Sequence, residues 1–282
     1  MRDAALLNRT RPYLAVEGSR VIAVLRGVGQ IFLQRSWLSG CLFLLALALG
    51  SLRFAFAALI GSALGFLMGR LLRAPREALD EGLYGFNGAL VALATAALFE
   101  PTPLVLATGA AAVLSATALF DVARRHGVAV FTAPFVACAW LMLAVLPRSA
   151  STPLEAPEHV AAIALRHIGE VVFLGGTLSG AVCLVGIFAG SWREGVVAGV
   201  VSLLTVGCGV VFQSPGFSEG LLGFNAVLTA IAVWQMHRGF VVVCLASLVA
   251  TAMSWAALHW QLPMLTAPFV ATAYFYKMRP LR

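Results

Sequence analysis

Charge is what this sequence has least of. Only 11% of its 282 residues are Asp, Glu, Lys or Arg, against 61% hydrophobic, and the mean hydropathy is +0.93. A soluble domain carries about a quarter charged residues. A chain this apolar cannot cover itself with polar surface in water, so the bilayer must act as its solvent. Short alternating strands are also missing, which excludes a membrane barrel and leaves helices to satisfy the backbone. The five cysteines (Cys41, Cys138, Cys183, Cys208 and Cys244) are scattered through apolar runs and read as small buried hydrophobes. The five histidines (His126, His159, His167, His237 and His259) have no ligand spacing. No cofactor or metal is expected, and no Ser–His constellation suggests an enzyme. The basic N-terminus lacks a compact apolar core followed by a small-residue cleavage site, so no cleavable signal is expected.

What the chain does have is long runs of Ala, Leu, Val and Gly. At roughly 20 apolar residues per crossing, ten candidate spans emerge: about 36–52, 54–71, 82–99, 103–122, 128–147, 177–191, 195–212, 220–236, 239–258 and 263–277. Two amphipathic stretches, about 15–34 and 156–174, are too polar to cross and become candidate re-entrant segments.

The net charge of +7 is explained by topology better than by nucleic acid, because cytoplasmic loops collect Lys and Arg. With alternating spans, 16 of the 19 basic residues fall on one side, and only Arg53, Arg148 and Arg166 on the other. Both termini are expected on the cytoplasmic side of an inner (plasma) membrane.

The sequence also repeats itself. Leu25-Arg26 through Gln30, then Leu38-Ser39-Gly40, recur as Leu165-Arg166 through Glu170, then Leu178-Ser179-Gly180. Glu81-Gly82-Leu83-Tyr84-Gly85-Phe86-Asn87 returns as Glu219-Gly220-Leu221-Leu222-Gly223-Phe224-Asn225, with Leu90 matching Leu228. Thr132-Ala133-Pro134-Phe135 returns as Thr266-Ala267-Pro268-Phe269, so three blocks recur in order at offsets of 140, 138 and 134. Five spans per half is an odd number, so the second copy must enter the membrane from the opposite face. Such inverted repeats place a substrate site near the midplane, between the copies. The expected organisation is a first repeat over 1–147, a linker over 148–158 rich in Pro, Ser and Thr, and a second repeat over 159–282.

The repeated blocks admit functional and structural readings. Their glycines serve either a pore or close helix packing. The Gly-Phe-Asn turns lie either at membrane depth or at its surface, with Asn87 and Asn225 capping the helix that follows. Thr132 and Thr266, each two residues before a proline, mark helix starts. If those starts are buried, each half offers one hydroxyl near the pseudo-two-fold axis; if not, they are only caps. Gln30 and Glu170 occupy equivalent places. Glu170 is a functional candidate at membrane depth or an interfacial acid otherwise. Glu100, Asp121 and Glu194 sit at span ends, which gives a proton or sodium relay little support.

At these blocks the sequence resembles the urea transporter family. Leu262-Pro263-Met264-Leu265-Thr266-Ala267-Pro268-Phe269 is similar to its Leu-Pro-x-x-Thr-x-Pro-Phe signature. Leu25 through Gln30 and Gly82 through Gly88 look like family motifs, and the resemblance runs over about 20–280. It implies an all-α integral membrane protein with ten transmembrane helices and two re-entrant half-helices, in two inverted repeats around a central pore. It further implies a homotrimer in lipid with one pore per protomer, and urea passing through narrow slots. Gln30, Ile31 and Leu33 match the first half-helix, and Glu170, Val171 and Phe173 the second. Phe86 with Leu90 and Phe224 with Leu228 match the slot walls; Thr132 and Thr266 match the constricted centre.

The sequence departs from the pattern in three places: Val128-Ala129 stands where the signature has Leu-Pro, Leu33 stands where the second half has Phe173, and Gln30 differs in charge from Glu170. Three alternatives therefore stand beside a urea channel. They are a channel for short amides, ammonia or water, an ion-coupled transporter using Glu170, and an intramembrane enzyme.

Overall fold

The computed structural model describes residues 20–149, 159–214 and 216–278, and all regular structure among them is helical. The first series is α1 (Arg20–Gly29), α2 (Trp37–Gly50), α3 (Leu52–Leu71), α4 (Arg76–Asp80), α5 (Phe86–Leu98), α6 (Pro103–Arg125) and α7 (Ala133–Val145). The second is α8 (Val160–Gly169), α9 (Thr177–Gly190), α10 (Trp192–Phe212), α11 (Phe224–His237), α12 (Phe240–His259) and α13 (Ala267–Met278). Apart from the short α4, the order and lengths match between the two. Residues 150–158 of the expected linker lie outside the described residues, as do Arg2, Arg9, Arg11, Arg279, Arg282 and both termini.

Local chemistry sets the boundaries. Ser36 caps α2 by accepting from Ser39 N at 3.3 Å. Thr102 caps α6 by accepting from Val105 N at 3.2 Å, with Pro103 in the first turn. Ser51 and Ser191, extended at φ −166° and −157°, break the chain between α2 and α3 and between α9 and α10.

Four helices, α3, α6, α10 and α12, are apolar and 20 to 23 residues long. At 1.5 Å per residue each reaches about 30 Å, the hydrocarbon thickness of a bilayer. Their outward faces carry exposed Leu52, Leu71, Leu104, Val211 and Val241, which only lipid or another protein can cover favourably. The described part of each amphipathic stretch is the first limb of a bent pair, the helix after it the second. Arg20–Phe32 meets Trp37–Gly50 at 73°, and Val160–Val172 meets Thr177–Gly190 at 74°. Each first limb ends in a 3-10 turn (Gln30–Phe32 or Glu170–Val172) followed by a left-handed residue, Leu33 at φ 59° or Phe173 at φ 61°. A bulky residue there is strained by about 1–3 kcal/mol and needs surrounding contacts to hold it.

Four of the expected spans are shorter as helices than the sequence suggested. α5, α7, α11 and α13 have 12 to 14 residues, or about 18–21 Å of rise. For α5 and α11 the residues before Phe86 and Phe224 are turns, and for α7 and α13 the reason is local. Pro134 and Pro268 cannot continue a helix from before them. Phe131 and Leu265, each just before the threonine, are left-handed at φ 45°. The residues 128–132 and 263–266 that looked like parts of spans are therefore irregular backbone.

The two series meet where α2 packs on α9, α7 touches α13, and the two 3-10 turns approach one another. One buried cluster runs across this seam, from Ile31, Phe43 and Leu90 in one series to Val171, Ile187 and Leu228 in the other. Arginines tie each bent pair to the following loop: Arg26 Nη1 donates to Asp80 O and Arg166 Nη1 to Ser218 O, both at 2.9 Å. The loop glycines beside them are constrained twice over. Gly82 (φ 79°) and Gly220 (φ 90°) are left-handed, and an added Cβ would lie 2.5 Å from Arg26 C and 2.7 Å from Arg166 C respectively. Gly220→Ala is expected to destabilise the protein by about 2–4 kcal/mol, from strain plus overpacking. Thermal unfolding in detergent checks this; an unchanged midpoint contradicts it.

Candidate functional site

The site is built by two asparagines that cap helices other than their own. Asn87 lies in the first turn of α5, yet its side chain reaches α7: Nδ2 donates to Phe131 O at 3.3 Å, and Oδ1 accepts from Phe135 N at 3.2 Å. Asn225 does the same for α13, donating to Leu265 O at 3.0 Å and accepting from Phe269 N at 3.2 Å. The early N–H groups of a helix have no partner within it, and a preceding threonine usually supplies one. Here the asparagine takes that role, and Thr132 makes no side-chain bond to its own helix. The expectation that Asn87 and Asn225 cap the helices they begin is corrected accordingly, as is that of Thr132 serving as a side-chain cap.

Released from capping, the two threonine hydroxyls meet. Thr132 Oγ1 and Thr266 Oγ1 are 2.7 Å apart, and both residues are 3% exposed. The Phe131 and Phe269 rings pack edge to face beside them, with centroids 5.5 Å apart. The bond joins residues 134 positions apart and links α7's start to α13's start across the seam.

Most of the remaining candidates lie in the buried cluster that crosses the seam. Ile31, Phe86, Leu90, Val171, Phe224 and Leu228 belong to the seam cluster, with Leu33 and Phe173 packed against it. Phe86 is braced edge-on by Phe120, centroid to centroid 5.4 Å. Gln30, 5% exposed, donates from Nε2 to Glu81 O at 3.0 Å. Glu170 holds the matching position, half-buried, within the fields of Glu219 and Arg166. Two grooves, of about 590 Å³ between α7, α12 and α13 and about 290 Å³ between α3, α5 and α6, involve none of these residues.

Two acids placed at span ends by sequence turn out to be engaged by other side chains. Asp121 is 4% exposed. It accepts from Tyr84 Oη and from Arg125 Nε, each at 2.6 Å, which anchors the turn before Asn87. The i,i+4 spacing of Asp121 and Arg125 was the available signal. Glu194 is bonded by Gln34 and Gln235, residues that no local pattern connects to it. Among the described residues no group of three or more His, Cys, Asp or Glu is placed to hold a metal.

Long apolar helices and matched bent pairs define a multi-pass helical membrane protein. Residues 21–275 match the family model for the urea transporter. Among curated proteins, the chain is similar to "Urea transporter 1" of Mus musculus, 37% identical over 115 residues, which is 40% of this chain and 29% of that protein. It is also similar to "Urea transporter 1" of Ovis aries, 26% identical over 248 residues, or 76% of this chain and 65% of that protein. The chain thus spans less than two-thirds of these relatives. It belongs to the urea transporter family, a family of transport proteins rather than enzymes.

Proposed function

We propose that this protein is a passive channel that conducts urea across the inner membrane through a narrow filter between two inverted repeats, 1–147 and 159–282. Each repeat would contribute five spans and one re-entrant half-helix, with both termini cytoplasmic. As the family resemblance implies, the protein works in lipid as a homotrimer with one pore per protomer. The observation that carries this reading is the Thr132–Thr266 hydroxyl pair, each member released by an asparagine of its own half.

The chemistry suits a flat, neutral solute. Urea offers N–H donors along its edges and a carbonyl acceptor. A threonine hydroxyl both donates and accepts, so the bond between the two threonines can be exchanged for bonds to urea. Net hydrogen-bond energies are about 0.5–1.5 kcal/mol, so such an exchange presents a low barrier. Phe86 and Phe224, with Leu90 and Leu228, present apolar walls to the plane of the solute. Gln30, whose amide N–H is engaged by Glu81 O, would offer its side-chain oxygen to the solute, as Glu170 would in the second slot. A cation would lose its hydration among Ile31, Leu33, Val171 and Phe173 without compensation.

The test is flux into liposomes carrying the purified protein. Urea uptake is expected to run down its own gradient at the same rate with or without proton and sodium gradients, and faster than uptake of acetamide. Uptake that requires an ion gradient would establish a coupled transporter instead. Equal rates for urea, acetamide and water would leave no urea filter.

A further inference from the structure

The two 3-10 turns match in backbone but differ in what holds them. Behind the Gln30–Leu33 turn, Gln34 is 2% exposed and its Nε2 donates to Phe32 O at 3.0 Å and to Glu194 Oε2 at 2.6 Å. Gln235, from α11, donates from Nε2 to Leu33 O and to Glu194 Oε2, both at 3.1 Å. A side-chain amide has two N–H donors, and each glutamine uses both. Two successive carbonyls of the turn are thereby tied, through two amides, to one carboxylate oxygen.

Among the described residues, the positions matching this cluster at the second turn hold no amide or acid. At the repeat offsets of 140 and 138, Gln34 corresponds to Leu174, Glu194 to Phe54 and Gln235 to Ala97. None of these side chains donates, accepts or ionises; Leu174 and Phe54 instead join the apolar cluster. The difference coincides with the change of wall residue, because the clamped turn carries Leu33 where the other carries the larger Phe173.

We infer that Glu194, with Gln34 and Gln235, forms a positioning cluster that fixes the Gln30–Leu33 turn and so sets the width of one slot only. The inference rests on the transport reading above. A carboxylate only accepts, so it imposes one orientation on both amides, N–H toward the acid and toward the turn carbonyls. A neutral amide at position 194 removes that imposition. Either glutamine could then flip and set its oxygen against Phe32 O or Leu33 O. The strained left-handed Leu33 would lose its hold, and the slot would admit wider solutes.

The test compares urea with N-methylurea in liposomes carrying wild type, Glu194→Gln, Glu194→Asp or Gln235→Leu, each checked for a monodisperse elution profile. Glu194→Gln and Gln235→Leu are expected to lower the urea to N-methylurea permeability ratio about fivefold, the scale of one lost hydrogen bond. Glu194→Asp, which keeps the carboxylate, should recover most of the ratio. A purely structural role would reduce both permeabilities together and leave the ratio unmoved. Wild type that conducts urea, with an unchanged ratio in both variants, overturns the positioning role alone. Wild type that conducts neither solute overturns the transport reading and this inference with it.

Discussion

Replacing Asn87 or Asn225 with alanine is expected to destabilise the protein by about 2–4 kcal/mol, because each change strands a buried helix N–H at about 1–3 kcal/mol and a part-buried carbonyl at about 1 kcal/mol. For Asn87 these groups are Phe131 O and Phe135 N; for Asn225 they are Leu265 O and Phe269 N. Hydrocarbon offers the carbonyl no replacement partner, and the helix N–H is left with only the preceding threonine to turn to. The effect reaches the centre of the seam as well. With the asparagine gone, Thr132 or Thr266 is the nearest side chain able to accept from the exposed helix N–H, and turning to do so would break the hydroxyl pair. Urea flux should therefore fall further than the loss of folded protein explains. Asn→Asp keeps the acceptor and loses the donor, so it should fall between wild type and alanine. Unfolding midpoints in detergent, read beside flux per folded protomer, check both parts. An alanine variant with wild-type stability would remove the asparagines from the account.

The second large effect is expected at the threonines themselves. Valine matches threonine in shape, so the double change Thr132→Val with Thr266→Val removes both hydroxyls while leaving packing nearly intact. Urea at that point would find no partner for a donor it brings. An unmatched polar group costs about 1–3 kcal/mol, which corresponds to a fall in flux of roughly 5- to 150-fold. Either single change leaves one hydroxyl facing a methyl group, so the two should not add. Stopped-flow uptake for the four members of this cycle gives the coupling directly. Equal urea flux in wild type and double variant would place the path elsewhere.

Much of this arrangement was legible in the chain, and the limits have physical causes. The two Thr-Ala-Pro-Phe blocks announced matching helix starts, and Gly-Phe-Asn announced the turns before α5 and α11. Sequence periodicity also located the long helices, since apolar runs of 20 or more residues such as those of α3 and α10 have little else to become in lipid. What it could not locate were partners. Asn87 sits in a position where capping its own helix is the local expectation, and only the folded chain brings it to α7, 44 to 48 residues on. The same distance problem hid Glu194, whose partner Gln34 lies 160 residues away. Helix ends were misjudged for another reason: the irregular residues 128–132 and 263–266 are as apolar as the helices they precede, so hydropathy does not separate them.

The most direct measurement is a density map of the protein in lipid, equilibrated with a high concentration of urea. The account predicts a flat solute in the seam beside Phe86 and Phe224, with the hydroxyls of Thr132 and Thr266 drawn apart to contact it. A seam that stays shut on the threonine bond, with urea passing or binding anywhere else, would contradict it.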